Sequence, residues 1–283
     1  MSPVIDVHVH VYPEQFVRDR ELISKKEPHF DLLTHNKVHK WGTAEQLIQR
    51  MDETGVDQSW IFGFAFRDPG LCAICNDYVI DAVRRYPGRL KGFASISPLT
   101  RGFAAEAERC ADAGLIGVGE LFPQGQNFDL GDRRQTWRLA AVLEERGLLL
   151  NVHTAEPVGH DYDGKGNVGP KEAAAFCLNH PGVKVIFAHF GGGLWLYETM
   201  PEMRLALKNA RYDTAAWPFL YDARVLAAAK AAGALDKMLY GTDWPILDRE
   251  RFASRLQSCG LDEREKETFM GSSAARLLAE REG

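Results

Sequence analysis

The chain has 283 residues, 45% hydrophobic, 26% charged and 10% aromatic, a composition that buries a sizeable core and excludes disorder, collagen-like repeats and small disulfide scaffolds. A formal net charge of −5 gives no electrostatic reason to expect nucleic acid or an anionic membrane as a partner. No apolar run approaches the roughly 20 residues that span a bilayer, and Met1-Ser2-Pro3-Val4-Ile5-Asp6 lacks the basic and apolar regions of a signal peptide.

The first apolar run, residues 4–9, is followed by a long segment holding His29, His35 and His39, for which surface exposure is the default. Thr43 caps a helical stretch with Leu47, Ile48 and Met51 on one face, stopping at Gly55. A second apolar run covers 56–64, and a helix over 76–86 ends at Pro87-Gly88. Cys72 and Cys75 form a C-x-x-C just before it; no second pair accompanies them, so they read as half-buried thiols at a helix start. Runs at 90–96, 115–122, 148–152 and 183–188 alternate with helices at 101–113, 134–146 and 171–179, each stopped by Gly or Pro. The run at 209–214 is the weakest, because Lys208–Tyr212 is polar; a helix at 221–232 and a last run at 238–240 follow.

Most of these runs are rich in Val, Ile, Leu and Phe without strict alternation, which is how strands buried on both faces of a parallel sheet read. Eight of them, most followed by a helix, imply an α/β fold: a closed (β/α)8 TIM barrel with a long loop after strand one and extra C-terminal helices. A dinucleotide-binding fold needs a Gly-rich turn after the first strand, where this chain has His8-Val9-His10. At about 150 residues per domain the length suggests two domains, but barrels reach about 250 as one. No linker divides the sequence, so one domain over 1–283 is expected. Five scattered cysteines suit a reducing cytoplasm.

The working residues of a barrel sit at the C-terminal ends of its strands. Four of the nine histidines lie there: His8 and His10 on strand one, His153 on strand five and His189 on strand six. Glu120 ends strand four in Gly117-Val118-Gly119-Glu120, and Asp243 ends strand eight in Gly241-Thr242-Asp243-Trp244. Side chains two apart on a strand share a face, so His8 and His10 both point into the mouth. Two imidazoles and a carboxylate suit zinc or a similar divalent ion with a position left for water.

This order of H-x-H, His, His and Asp resembles the amidohydrolase superfamily of metal-dependent barrel enzymes, across essentially the whole chain. The Gly-Thr-Asp-Trp-Pro ending and the lack of a strand-four lysine resemble its amidohydrolase-related group. The resemblance implies that His8, His10 and Asp243 hold a first metal, with His153 as a further ligand. It makes His189 a second-metal ligand or a catalytic side chain near substrate. Many members carry a bridging carboxylated lysine on strand four; Glu120 stands there instead. It is taken as a bridging ligand, the alternative being a carboxylate that orients a histidine.

A divalent cation lowers the pKa of bound water from 15.7 to about 7. Asp243 beside that water is then placed to act as general base and acid, while the metal or a protonated His189 stabilises the oxyanion. The expected activity is hydrolysis of a small ester, lactone or amide, with zinc as the expected metal, one ion or two. The alternative is a lyase that decarboxylates or hydrates an unsaturated or aromatic carboxylic acid. A non-catalytic metal-binding barrel is a third reading. The expected partner is a small-molecule substrate, with neither nucleic acid nor membrane; a homodimer is compatible with the sequence.

Several loop residues have two readings. Arg67 is a bidentate clamp on a substrate carboxylate or a surface partner of Asp68. Trp217 and Trp244 are substrate-binding pocket walls or core caps. Residues 159–166 almost spell a phosphate loop, but Gly166 stands where Ser or Thr is required; they read as a glycine-hinged lid or a plain surface loop. Gly191-Gly192-Gly193 brings backbone close to a metal or anion, or merely satisfies a tight turn.

Overall fold

Strands that are apolar on both faces need cover on both, and parallel pairing inside a ring of helices supplies it. The computed structural model describes residues 2–282. Its strands are β1 (Ile5–His10), β2 (Gln58–Phe62), β3 (Leu90–Ala94), β4 (Gly117–Leu121), β5 (Leu149–Val152), β6 (Val185–Phe187), β7 (Ala210–Asp213) and β8 (Met238–Leu239). They pair in parallel in chain order. Backbone bonds from β1 to the segment after β8 close the ring: Val7 N–H donates to the Tyr240 carbonyl at 2.9 Å, and Asp243 N–H to the His8 carbonyl at 2.9 Å. The expected (β/α)8 barrel is the fold found.

Ile5, Val7, Trp60, Phe62, Phe93 and Leu149 fill the barrel interior, joined by Ala274 and Leu277 of the final helix, Ser273–Glu282. That helix plugs the end where the chain enters. Just before it, Gly271 lies so close to Pro3 that an added Cβ would stand 1.7 Å from the Pro3 carbonyl oxygen. The helix Ala44–Thr54 starts with a capping box between Thr43 and Gln46 and ends at Gly55 with φ +70°, as its sequence signals require.

Two segments differ from the sequence reading. The helix expected over 76–86 is Pro69–Arg85, because the Asp68 side chain accepts from Leu71 N–H and Pro69 occupies the first turn. The long connection after β1 contains three short helices, Glu14–Arg18, Arg20–Ser24 and Pro28–Thr34. Phe16, Ile23 and Phe30 there pack with Phe66, Cys72 and Cys75 in a small core of their own. Both cysteines are buried structural thiols, and burial pushes Cys75 up to about 12. Buried Glu27 fastens this layer to the barrel by accepting Asp68 N–H at 2.7 Å. Among the described residues no helix is long and apolar enough to cross a membrane.

Because Leu277 is an apolar plug rather than a surface residue, Leu277→Ala is expected to cost about 2–5 kcal/mol. The readout is the urea midpoint; an unchanged midpoint would show that the last helix does not seal the barrel.

Candidate metal centre and active site

β1 turns His8 and His10 to the same face, and each ring is fixed by its far nitrogen. His8 Nδ1–H donates to Asp213 Oδ2 at 2.9 Å and His10 Nδ1–H to the Gly63 carbonyl at 3.0 Å. Both rings thereby aim Nε2 at one space. His8 Nε2 is buried and has no hydrogen-bond partner among the described residues. It lies 3.7 Å from Glu120 Oε2 and 3.8 Å from Asp243 Oδ1; His10 Nε2 lies 3.5 and 3.7 Å from the same oxygens. Ligands bonded tetrahedrally at about 2.1 Å sit about 3.4 Å apart. An orphaned imidazole nitrogen ringed by carboxylate oxygens at that spacing fits a shared divalent cation.

Glu120 reaches both halves of the site. Oε2 faces His8 and His10, while Oε1 lies 3.0 Å from His153 Nδ1 and 3.6 Å from His189 Nε2. His189 Nδ1–H donates to the Ala215 carbonyl at 3.1 Å, and His153 Nε2–H to the Lys165 carbonyl at 3.0 Å. Two sets, His8–His10–Asp243 and His8–Glu120–His189, each bring their donor atoms within 4.8 Å. Both sets use His8, whose Nδ1 is engaged by Asp213 and whose Nε2 can bind one ion. His153 meets Glu120 and His189 but belongs to neither set.

Electrostatics favour positive charge here. Burial opposes ionisation of Glu120, yet the surrounding imidazoles, His8 first, hold its carboxyl well below the usual range. Burial likewise works against a charged His8, but Asp213, Glu120 and Asp243 together raise it to about 10. Without a metal the cluster holds protons; a divalent ion would displace them.

The motifs have local reasons. In Gly117-Val118-Gly119-Glu120, Gly119 has φ +139°, and a Cβ there would meet the Asn151 carbonyl at 2.4 Å. Thr242 anchors the β8 end on β1: its N–H and Oγ1–H donate to Asp6 at 2.9 and 2.6 Å. His189 and Asp243 both lie in the left-handed region, at φ 55° and 71°, a strain of about 1–3 kcal/mol for most residues. Gly191-Gly192-Gly193 serves steric fit. A Cβ on Gly192 would stand 2.3 Å from the Ala155 carbonyl.

A cavity of about 430 Å³ opens over this centre. His10, Glu120, His153, His189 and Asp243 line it, and Phe64, Phe122 and Phe219 contribute ring walls. His160, Tyr162, Asp163 and Gly164 of the loop over 159–166 also line it, so that loop does cover the site. His29 and His39 are cavity residues rather than surface ones, whereas His35 is exposed. His29 stacks on Phe122 with ring centroids 4.0 Å apart.

The three substrate-binding candidates lie elsewhere. Arg67 turns to Glu27, with Nε 3.7 Å from its carboxylate, and does not line the cavity. Trp217 is fully buried and donates from Nε1 to the Asp222 carbonyl at 3.1 Å. Trp244 packs against Gly42. Both tryptophans are core caps. Sequence reasoning missed Asp213, which accepts from His8 Nδ1–H, His189 N–H and Ala215 N–H; its only signal was a carboxylate ending the weakest strand.

Fold and site together define a β/α-barrel enzyme built around a candidate divalent-metal centre. The amidohydrolase family profile matches residues 5–279, and the chain belongs to that family. It is 23% identical over 286 positions to a gamma-resorcylate decarboxylase of Polaromonas sp. (strain JS666), covering 83% of this chain and 86% of that protein. A 5-carboxyvanillate decarboxylase from Sphingomonas paucimobilis shares the fold with a TM-score of 0.76 at 16% identity, over 99% of each chain. A dihydroxybenzoic acid decarboxylase from Polaromonas sp. JS666, with bound manganese and the inhibitor 2-nitroresorcinol, has a TM-score of 0.67 at 18% identity, over 99% of this chain and 97% of that one.

Asp213→Asn removes the charge that orients His8 while keeping the side chain's shape. Metal affinity is expected to fall about 10–100-fold, read by titration of metal-stripped protein; unchanged affinity would mean that His8 needs no such support. A second expectation concerns acid. Burial, aided by His153, lowers His29 to about 4, so the folded state binds fewer protons than the unfolded one between the ordinary histidine value near 6.5 and pH 4. Stability should decline across that window as pH falls. His29→Phe should flatten the decline in urea midpoints, and an identical slope would contradict the assignment.

Proposed function

We propose that the protein is a metal-dependent decarboxylase of hydroxylated aromatic acids, the lyase alternative rather than ester, lactone or amide hydrolysis. The observation that carries the reading is the cavity: a space of about 430 Å³ that Phe64, Phe122 and Phe219 help to wall and that Glu120 and Asp243 line. Such walls suit a flat arene, and protonation of a ring carbon, unlike hydrolysis, needs no water at the reacting atom. The decarboxylase relatives support the same choice.

A divalent cation held by His8, His10, Asp243 and Glu120 would supply positive charge to an anionic substrate. The sequence suggested zinc; the manganese in one relative gives that ion equal standing, since carboxylate and imidazole ligands serve both. The ring walls hold the arene, with its carboxylate toward the centre. Asp243 directs Oδ1 at His8 and His10, leaving Oδ2 for proton transfer. Asp243 delivers a proton to the ring carbon bearing the carboxylate. The bond from that carbon to the carboxylate then breaks, its electron pair returns to the ring, and CO2 leaves. The proton is replaced from water, so each turnover consumes one. His189, its Nδ1–H fixed on Ala215, presents Nε2 beside Glu120 and steadies the carboxylates around the reacting carbon.

Metal-loaded protein given 2,6-dihydroxybenzoate should yield resorcinol and CO2, with one deuterium at the vacated ring position in D2O. Turnover of esters or lactones with 18O entering the product from labelled water, and no CO2 from any hydroxybenzoate, would overturn the reading in favour of hydrolysis. Asp243→Asn keeps a residue that tolerates the left-handed backbone. It should therefore fold and yet lose about 10²–10⁴-fold in kcat; near-normal kcat would remove Asp243 from proton transfer. Metal content distinguishes one ion from two: a drop in Glu120→Ala from two equivalents to one supports bridging, and one equivalent in both proteins excludes it.

A further inference from the structure

The imidazoles of the centre have their far nitrogens committed: His10 Nδ1–H to the Gly63 carbonyl, His189 Nδ1–H to the Ala215 carbonyl and His153 Nε2–H to the Lys165 carbonyl. Among the described residues no lysine or arginine lines the cavity. A metal takes only some of the oxygens of a bound aromatic acid. Each remaining oxygen gives up water with no cationic side chain to replace it, which is costly unless a neutral donor meets it.

Two phenols stand where such donors are needed. Tyr12, two residues beyond His10, lines the cavity although only 5% of it is exposed. Its ring lies parallel to that of His10, with centroids 6.2 Å and planes 6° apart, and edge-on to Trp41 at 5.1 Å, so packing fixes its direction. Its hydroxyl has no hydrogen-bond partner among the described residues, yet it is not sealed in the interior as the Tyr240 hydroxyl is. The second phenol, Tyr162, lines the cavity from the loop over 159–166, and its hydroxyl likewise has no partner among the described residues. That loop is seated against the connection after β1: Asn36 Nδ2–H donates to Asp163 at 2.9 Å, and a Cβ on Gly164 would stand 2.8 Å from Leu33 Cδ2. Asp243 is near enough to both hydroxyls to act on them electrostatically. A phenol with an ordinary value near 10 is intact at neutral pH, and burial raises Tyr162 to about 12, so both groups are neutral donors. Resting on the decarboxylase reading for the kind of ligand, we propose that Tyr12 and Tyr162 form a clamp of two phenols, whose hydroxyls donate to the oxygens of the bound aromatic acid that the metal leaves free.

The test measures binding as well as turnover. Manganese-loaded protein is titrated calorimetrically with 2-nitroresorcinol. Tyr12→Phe and Tyr162→Phe each keep the ring and lose the hydroxyl, and each should weaken binding about tenfold, the loss of one hydrogen bond to a ligand oxygen. Unchanged binding in either variant overturns the role of that residue, and no binding to the wild type overturns both. Manganese affinity, titrated on metal-stripped protein, should be the same in both variants as in the wild type. If it falls in Tyr12→Phe in step with ligand affinity, Tyr12 acts through the His10 ring it stacks on, and its role as a donor is overturned. With 2,6-dihydroxybenzoate as substrate, each variant should raise KM about tenfold and keep kcat within about threefold, the pattern of a contact made equally before and during reaction. A lower kcat at unchanged KM overturns the clamp in favour of a part in the chemistry. If no hydroxybenzoate releases CO2 while the hydroxyl-dependent binding of 2-nitroresorcinol persists, the decarboxylase reading fails and the clamp stands.

Discussion

The pairing of His8 with Asp213 is the contact on which the rest of the site depends. A buried carboxylate is expensive unless its oxygens are fully bonded, and Asp213 collects four donors: His8 Nδ1–H, His189 N–H, Ala215 N–H and Asn151 Nδ2–H. These come from β1, from the turn after β6, from the chain just past β7 and from β5. One charge thus aligns four parts of the barrel mouth. It also fixes which His8 nitrogen faces the centre, and so sets where Glu120 and Asp243 can share a cation with it. Closure of the ring between β8 and β1 is the precondition, because Asp243 N–H hangs on the His8 carbonyl.

The barrel and most of its site were legible because each rests on a local pattern. Strands buried on both faces read as continuous apolar runs, and side chains two apart on β1 must share a face. Asp213 was not legible: it is one of 39 acidic residues, and nothing near it in sequence reports that His8, 205 positions away, stands beside it. The connection after β1 failed differently. Its helices of five to seven residues are too short to show a periodicity, so His29 and His39 looked like surface residues although an aromatic core beneath them turns them into the cavity. Arg67 and the two tryptophans were placed in the right loops, but a loop position does not say which way a side chain turns. Glu27 claims Arg67, and packing claims Trp217.

The metal centre by itself does not choose a reaction. A divalent ion among histidines and carboxylates can activate water or hold an acid for cleavage, and the ligand set is compatible with both. What differs is the wall. An aromatic-lined space suits a flat ring, and of its walls Phe122 also packs on His153, with ring centroids 4.4 Å apart. Ligand geometry and the shape of the outer cavity are therefore carried by largely different residues, with His153 common to both.

That separation follows from where the walls originate. The ring walls Phe64, Phe122 and Phe219 follow β2, β4 and β7, and the rest of the rim comes from the connection after β1 and the loop after β5, which meet through Asn36 Nδ2–H donating to Asp163 at 2.9 Å. The second loop is also fastened to itself, by Lys165 Nζ on the carbonyls of Val158 and His160 at 3.1 and 3.0 Å. Its link to the centre is one hydrogen bond, from His153 Nε2–H to the Lys165 carbonyl. Side chains in these two loops can therefore vary with little effect on His8, His10 or Asp213, which are held by strands and strand ends. The exception is His153, whose orientation is shared between Glu120 and the loop, so a change in that loop reaches the centre through His153 before it reaches any other ligand candidate.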